Sequence, residues 1–152
     1  MKLTLAAVGR LRPEFRALAH EYAARVSRFM DFAEVEVREA SRAPSPAAQL
    51  KEEAGRLRER LPAGSRLVVL DRAGKGLSSE ALARELDRWR VAARPVSLVI
   101  GGSNGLATEL VESADLSWSL GPLTLPHELA RVVVLEQVYR AWTILRGEPY
   151  HK

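Results

Sequence analysis

The fold is decided by the stretch RLVVLDRAGKGLSSEALARELDRWRVAARPVSLVIGGSNG, residues 66–105. It contains two short apolar runs, at residues 66–70 and 96–100, which are typical of strands buried on both faces. Between them, Ser78 precedes a segment with helical spacing that runs to about residue 93, and this pattern predicts a capped helix. A helix between two such strands predicts that the strands lie parallel in one sheet.

The same alternation of strand and helix patterns continues in both directions from this stretch. Further strands are predicted at residues 2–8, 33–37 and 116–120, and further helices at residues 13–29, 46–61, 107–114 and 127–145. The alternating AEVEV of residues 33–37 indicates a strand with one solvated face, as at a sheet edge. We therefore expect one α/β domain over residues 1–152, with a mainly parallel sheet and helices on both faces.

Composition excludes several classes of protein. The chain has 152 residues, of which 47% are hydrophobic and 28% charged, and this balance is typical of a folded cytoplasmic domain. No apolar run approaches the roughly 18 residues of a membrane span. The absence of cysteine excludes disulfides, thiolate metal sites and a cysteine nucleophile. Three histidines without HxxxH spacing make a metal site unexpected.

The net charge of +4 is unevenly placed. Its excess lies within the first 28 residues, which suits a polyanionic partner such as nucleic acid. A solvated helix face would produce the same pattern, so both readings stay open. The basic residues concerned are Lys2, Arg10, Arg12, Arg16, Arg25 and Arg28.

Three loops are predicted to follow buried strands, at residues 71–76, 101–105 and 121–126. In open α/β sheets, ligands bind just outside the carboxyl ends of the strands. The glycines of IGGSNG and DRAGKG match neither the dinucleotide-binding fingerprint nor the phosphate-binding P-loop. The apolar loop at residues 121–126 would suit a buried loop that binds a flat heterocycle between Leu123 and Leu125. A hydrophobic staple at the start of a helix is the alternative.

The last predicted helix, residues 127–145, is apolar around nearly its whole circumference. Such a helix must be covered on more than one side, which predicts a homodimer, or else a helix unusually buried within a monomer. On this helix Glu136 and Arg140 have the i,i+4 spacing of a surface ion pair, although Arg140 could instead contact a phosphate. The tail Tyr150-His151-Lys152 carries an aromatic, an imidazole and a cation.

The sequence resembles the RlmH (YbeA-like) family of SPOUT-class methyltransferases. The match includes the N-terminal KLTLAAVGRLRPEF and the strand end at Leu70-Asp71, so it spans nearly the whole chain. The remaining matching residues are VIGG at 99–102 with Gly105, LTLPH at 123–127, Arg131, EQ at 136–137, YRA at 139–141 and PYH at 149–151.

The resemblance implies an α/β fold with a C-terminal trefoil knot, acting as a homodimer. It also implies methylation of N3 of a pseudouridine in a 23S rRNA hairpin of the large subunit, on assembled ribosomes, with S-adenosylmethionine as cofactor. No metal is required. The cofactor contacts carried over by motif are Leu70, Gly102, Gly121, Pro122, Leu123, Thr124, Leu125 and Pro126.

Methylation of a ring nitrogen does not need the cysteine adduct usual in carbon methylation, so the chemistry agrees with a cysteine-free chain. The N3 proton must leave, and the candidate acceptors are His151, Tyr150 and Glu136, with water as the alternative. Arg140 and His127 are expected to contact the RNA. Two other functions stay open, namely methylation of another RNA such as tRNA and a non-enzymatic RNA-binding module.

Overall fold

Five strands alternate with five helices along the chain, and the computed structural model describes residues 1–152. A 3₁₀ turn at Pro149–His151 ends the chain. The strands are β1 (Lys2–Val8), β2 (Asp31–Val37), β3 (Arg66–Gly76), β4 (Val96–Ile100) and β5 (Leu116–Ser119). The helices are α1 (Pro13–Val26), α2 (Pro46–Arg60), α3 (Ser79–Ala92), α4 (Thr108–Glu112) and α5 (His127–Leu145).

All strand pairs are parallel, in the order β2-β1-β4-β3-β5. The predicted α/β class is therefore confirmed, and so is the edge position of the strand that contains AEVEV. All five residues of β4 are buried, as expected for a strand near the middle of a covered sheet. None of the helices combines the length and hydropathy that a bilayer crossing requires.

Helices cover both faces of the sheet. Helices α1, α3 and α5 pack on one face over the larger core, which includes Trp89 and Leu135. Helices α2 and α4 cover the other face through Leu57 and Leu110. The two-sided cover predicted from the sequence is confirmed. The trefoil knot implied by the resemblance stays a prediction.

The prediction of a loop at residues 71–76 is wrong. Strand β3 continues through these residues to Gly76, with an irregularity between Leu70 and Lys75, and its second half pairs with β5. Gly74 allows this approach, because a Cβ there would lie 2.6 Å from the backbone oxygen of Ser117. The cause is a contact between segments about 43 residues apart in the chain, which local pattern does not show.

Helix α5 lies against both α1 and α3, so its own protomer covers much of its apolar circumference. Trp142 stacks on Phe29 with ring centroids 5.8 Å apart. Leu129 and Leu145 remain more than one-third exposed. The coverage favours in part the alternative of a helix buried within the monomer, and the homodimer stays a prediction.

Candidate functional site

A cavity of about 470 Å³ opens at the carboxyl ends of β4 and β5, beside residues 70–72 at the irregularity of β3. This size lies within the range of small-molecule sites, and the position is where open α/β sheets bind ligands. Its lining combines apolar side chains with glycine backbone. The lining residues are Leu70, Asp71, Arg72, Ile100, Gly101, Gly102, Ser103, Gly105, Trp118, Leu120, Gly121, Leu123, Thr124, Leu125, Pro126, His127 and Ala130.

The glycine loop, defined as residues 101–105, forms one side of the cavity. It is folded tightly on itself, since the N–H of Gly105 donates to the oxygen of Gly102 at 3.1 Å. A Cβ on Gly101 would lie 2.3 Å from the oxygen of Gly105, and Gly105 itself has a φ of +78°. Only glycine at these positions allows the turn, and the turn presents main chain rather than side chain to the cavity.

The proline-bounded loop, residues 121–126, forms the opposite side. The guanidinium of Arg72 donates to Thr124 Oγ1 at 2.8 Å and so connects this loop to the middle of β3. Leu125 is half-buried, but Leu123 is 76% exposed. The prediction of a buried loop is therefore wrong for Leu123, because no residue of the protomer covers that side chain. Leu123 does line the cavity, so the predicted role of covering the face of a bound ring stays a prediction.

Most residues predicted to bind a cofactor do line this one cavity. Pro122 does not, although its neighbours do. His127, predicted to contact the RNA, also lines the cavity, at the first residue of α5. The lining residues from the predicted set are Leu70, Gly102, Gly121, Leu123, Thr124, Leu125 and Pro126.

A buried cluster anchors the N-terminal half of α5 just behind the cavity. Arg131 is 1% exposed and donates to Glu36 Oε2 at 2.6 Å and to the carbonyl of Gly9 at 3.0 Å. Burial raises the pKa of the Glu36 carboxyl, but hydrogen bonds from Arg131 and Arg16 outweigh it and leave that pKa below its usual value. The cluster connects α5 to β1 and to the edge strand β2.

A second contact holds the first turn of α5. The backbone N–H of Arg12 donates to Glu128 Oε2 at 2.6 Å, and the Arg12 guanidinium donates to Oε1 at 2.9 Å. These hydrogen bonds, the backbone one first, hold the pKa of the Glu128 carboxyl below its usual value. Because α5 begins directly after the proline-bounded loop, both anchors also position that loop.

The predicted catalytic residues form a separate cluster at the other half of α5. Tyr150 donates to Glu136 Oε1 at 3.0 Å, and Arg140 donates to the same oxygen at 2.6 Å. The guanidinium of Arg140 also lies 4.9 Å from the centre of the Tyr150 ring. The tail is therefore a folded 3₁₀ turn on α5, and the predicted ion pair between Glu136 and Arg140 is present.

The tail cluster and the cavity are apart within one protomer. Glu136, Arg140, Tyr150 and His151 are all absent from the cavity lining. Glu136 is nine residues beyond His127 on α5, a rise of about 13 Å. The protomer thus brings the predicted cofactor residues together but does not bring the predicted catalytic residues to them.

Tyr150 and Glu136 are both fully engaged in the tail cluster. Burial, together with the neighbours Tyr22 and Glu136, raises the pKa of the Tyr150 hydroxyl well above its usual range. The second carboxylate oxygen of Glu136 accepts from Gln137 at 2.7 Å. His151, in contrast, is exposed.

Ion pairs neutralise half of the predicted basic segment. Arg12 pairs with Glu128, Arg16 with Glu36 and Arg25 with Glu21. These partners come from β2 and α5 as well as from α1 itself, so counting charges along the segment could not reveal all of them. Lys2, Arg10 and Arg28 make no ion pair within 4.0 Å and remain as the free positive charges.

Sequence reasoning missed three residues that shape the site. Trp118 lines the cavity from β5, and its position in the short strand LSWS carries no signal of that role. Arg72 was placed in a loop, whereas it extends from β3 to Thr124. Glu53 lies buried on α2, behind the glycine loop. The sequence signal that could have identified Glu53 is its place as a charged residue on the core-facing side of the helix predicted at residues 46–61.

Comparison with known proteins assigns a family to this architecture. The family model described as "Predicted SPOUT methyltransferase" matches residues 1–151. Similar curated proteins include ribosomal RNA large subunit methyltransferase H of Pseudomonas putida and of Azotobacter vinelandii, which are 44% and 43% identical over 155 residues. Each alignment covers 100% of this chain and 100% of the relative.

Solved structures show the same fold at much lower identity. A Bordetella pertussis protein described as a methyltransferase has a TM-score of 0.52 and 19% identity, over 92% of this chain and 95% of that one. A Legionella pneumophila protein described as a methyltransferase, solved with the bound cofactor SAM, has a TM-score of 0.51 and 15% identity. That alignment covers 93% of this chain and 66% of the other.

Proposed function

Because the chain belongs to the SPOUT methyltransferase family, we propose that it methylates large-subunit ribosomal RNA with S-adenosylmethionine as methyl donor. The target proposed is N3 of a pseudouridine in a 23S rRNA hairpin, on ribosomes assembled in the cytoplasm. The observation that carries the proposal is the cavity between the glycine loop and the proline-bounded loop, in a chain 44% identical over its full length to ribosomal RNA large subunit methyltransferase H.

The cavity residues fit this cofactor. Adenine is flat and apolar on its faces, and Leu70, Leu123 and Leu125 line the cavity from two sides. Ribose and methionine groups need hydrogen bonds, and the tight turn at Gly101 and Gly102 lets main chain approach them closely. When bound, S-adenosylmethionine supplies a methyl group on a positively charged sulfur.

Methyl transfer to N3 depends mainly on orientation, and the residues around the cavity supply it. Arg131 and Glu128 hold α5 and with it the proline-bounded loop, so one side of the cavity is rigid before any ligand binds. The N3 proton must also leave the ring. Tyr150 and Glu136 are engaged with each other, which leaves the exposed His151 as the proposed proton acceptor.

The separation of the tail cluster from the cavity supports a homodimer in which the tail of one protomer serves the cavity of its partner. The outward stripe of α5, including the exposed Leu129 and the half-buried Val133, is proposed as the contact between protomers. Arg140, beside the tail, is proposed to contact the phosphates of the RNA once its site is assembled.

The reaction is tested by transfer of a labelled methyl group to intact ribosomes, separated subunits, bare rRNA and tRNA. We expect labelling of intact ribosomes, at a pseudouridine mapped by mass spectrometry. Gly101→Ala is the control variant, since its Cβ would lie 2.3 Å from the oxygen of Gly105 and should abolish cofactor binding. Labelling of tRNA alone would favour the other RNA substrate, and no labelling would favour a binding module.

Mixing two inactive variants tests the shared site. Gly101→Ala keeps the tail but loses the cavity, whereas deletion of residues 150–152 keeps the cavity but loses the tail. If the tail acts on the partner's cavity, their mixed dimer has one complete site and regains part of the activity. A mixture that stays inactive although native mass spectrometry shows mixed dimers would place both parts in one protomer. A stable, fully active monomer at micromolar concentration would contradict the dimer altogether.

A further inference from the structure

A buried carboxylate lies directly behind the glycine loop. Glu53 of α2 is 2% exposed, and its Oε1 accepts from the backbone N–H of Ala40 and from Gln49 Nε2, both at 3.0 Å. Its other oxygen, Oε2, is buried without any hydrogen-bond partner. That oxygen lies 3.8 Å from the position that a Cβ on Gly102 would take. Since Gly102 lines the cavity, the unpartnered oxygen lies just behind the cavity wall.

No positively charged side chain lies within ion-pair distance of the Glu53 carboxyl group. Glu53 takes part in none of the eleven ion pairs of the chain. An isolated carboxylate is expensive to bury, and a buried polar atom without a partner calls for an explanation. A cation bound in the cavity would be attracted by this carboxylate past Gly102 and the apolar side chain of Val8, whose Cγ1 lies 3.0 Å from the same Cβ position, because neither group carries an opposing charge.

The same carboxylate belongs to a network that holds the glycine loop. Asn104 Nδ2 donates to Gln49 Oε1 at 3.1 Å, and Gln49 in turn donates to Glu53. Ser103 Oγ donates to Glu39 Oε1 at 3.0 Å. The position of the loop and the position of the charge are therefore coupled through Gln49, so an effect of charge must be separated from an effect of loop structure.

We infer that Glu53 is a positioning residue that makes the cavity prefer a cationic ligand, so that the sulfonium donor binds more tightly than its neutral thioether product. The inference rests on the proposed function. In the transfer, the bond from sulfur to the methyl carbon breaks as the bond from N3 to that carbon forms. The N3 proton goes to the acceptor, and sulfur keeps the electron pair and loses its charge. The attraction of Glu53 is lost at that moment, which favours release of the product.

Titration calorimetry with S-adenosylmethionine and S-adenosylhomocysteine tests the inference, because the two ligands differ by the methyl group and one charge. For Glu53→Gln we expect the Kd of the sulfonium ligand to rise about tenfold, a size that one screened charge–charge interaction supplies. The Kd of the thioether should change less than about twofold. An equal rise for both ligands would overturn the inference and leave Glu53 with a structural role only.

Gln49→Leu is the matched control, since it cuts the link to the loop but keeps the charge. It should shift both affinities alike and leave their ratio unchanged. Should Glu53→Gln fail to fold, the unaltered protein decides the matter with an analogue that carries a protonated amine in place of the sulfonium. That analogue should bind about tenfold more tightly than the thioether, and equal affinities would overturn the inference. Failure of the unaltered protein to bind either natural ligand would instead contradict the proposed function.

Discussion

The two ends of helix α5 carry polar clusters of similar composition that differ in burial. At the N-terminal half, Arg131 is 1% exposed and contacts Glu36 and the backbone of Gly9. At the C-terminal half, the side chain of Arg140 is 28% exposed and contacts Glu136 and the ring of Tyr150. The first cluster joins three elements of the fold through a buried side chain, whereas the second joins the helix to the tail that follows it and to Tyr22 of α1.

The difference in burial indicates different roles for the two arginines, one in the stability of the fold and one at the surface. Removing either partner of a buried ion pair leaves an unpaired buried charge, which costs several kcal/mol of folding free energy. The stability of the fold therefore depends on the first cluster. A partly exposed ion pair contributes little to the free energy of unfolding, because water can replace either partner. The second cluster can therefore rearrange toward an RNA without a large loss of stability.

The largest expected effect is the contrast between Arg131→Met and Arg140→Met. Arg131→Met leaves Glu36 without its main partner and should lower the free energy of unfolding by about 3–5 kcal/mol. Arg140→Met should lower it by less than about 1 kcal/mol. Urea unfolding measured at neutral pH compares the two directly. Equal losses for the two variants would contradict the division between the clusters.

Deletion of residues 150–152 should separate turnover from stability at the second cluster. We expect turnover on ribosomes to fall by about a hundredfold, the scale of a lost general base. Cofactor affinity should stay unchanged because no tail residue lines the cavity of its own protomer and the partner's tail is proposed to act on the N3 proton rather than on the cofactor. The melting temperature should fall only slightly, through the lost contact of Tyr150 with Tyr139, whose rings lie 4.7 Å apart. Full turnover would show that the tail plays no part in the reaction.

Acid should weaken the two carboxylate contacts that hold the N-terminal half of α5, Glu36 with Arg131 and Glu128 with Arg12, before the core. Both Glu36 and Glu128 have folded-state pKa values below the usual 4.5, so they bind fewer protons folded than unfolded. The stability that they contribute is present above about pH 4.5 and is lost as the pH falls through their lowered pKa values. Glu128→Gln should therefore be less stable than the unaltered protein at neutral pH and equally stable below those pKa values. A difference that is independent of pH would contradict the assignment.

The smallest expected effect is that of Tyr150→Phe, which removes only a hydroxyl. The raised pKa keeps this hydroxyl protonated at neutral pH, so it cannot act as a base. We expect a loss of about 1 kcal/mol in the free energy of unfolding and a loss of less than about tenfold in turnover. His151→Ala is the matched variant and should lose about a hundredfold. A larger loss for Tyr150→Phe than for His151→Ala would reverse the two roles.

Hydrophobic periodicity was a sufficient guide to the elements of the fold. The bounds of α5, His127–Leu145, agree with the prediction, and β4 was recognised from a run that is apolar except for Ser97. Such patterns are local, because a segment's side chains must match the one face or two faces that it buries. Periodicity failed at residues 71–76, where pairing with β5 rather than local pattern extends the strand.

Only part of the candidate site could be predicted from the sequence, because the rest depends on contacts between segments that are distant in the chain. Loops after buried strands, together with the family motif, identified the residues of the cavity, since parallel strands must end at one edge of a sheet. The position of Glu53 behind Gly102 was not visible, because the two residues are 49 apart in the chain and meet only in the folded protein. The exposure of Leu123 was also missed, because the identity of a single apolar residue does not show whether other residues cover it in the fold.

The sequence by itself determined the α/β class, the order and approximate positions of its helices and strands, the absence of cysteine chemistry and the family. These follow from local periodicity, composition and motif. Only the tertiary structure decided which charges are buried, which are paired, and that the tail cluster lies about 13 Å along α5 from the start of that helix at the cavity. Burial and pairing depend on contacts between segments distant in the chain. The same arginine side chain is therefore a structural anchor at position 131 and a candidate RNA contact at position 140.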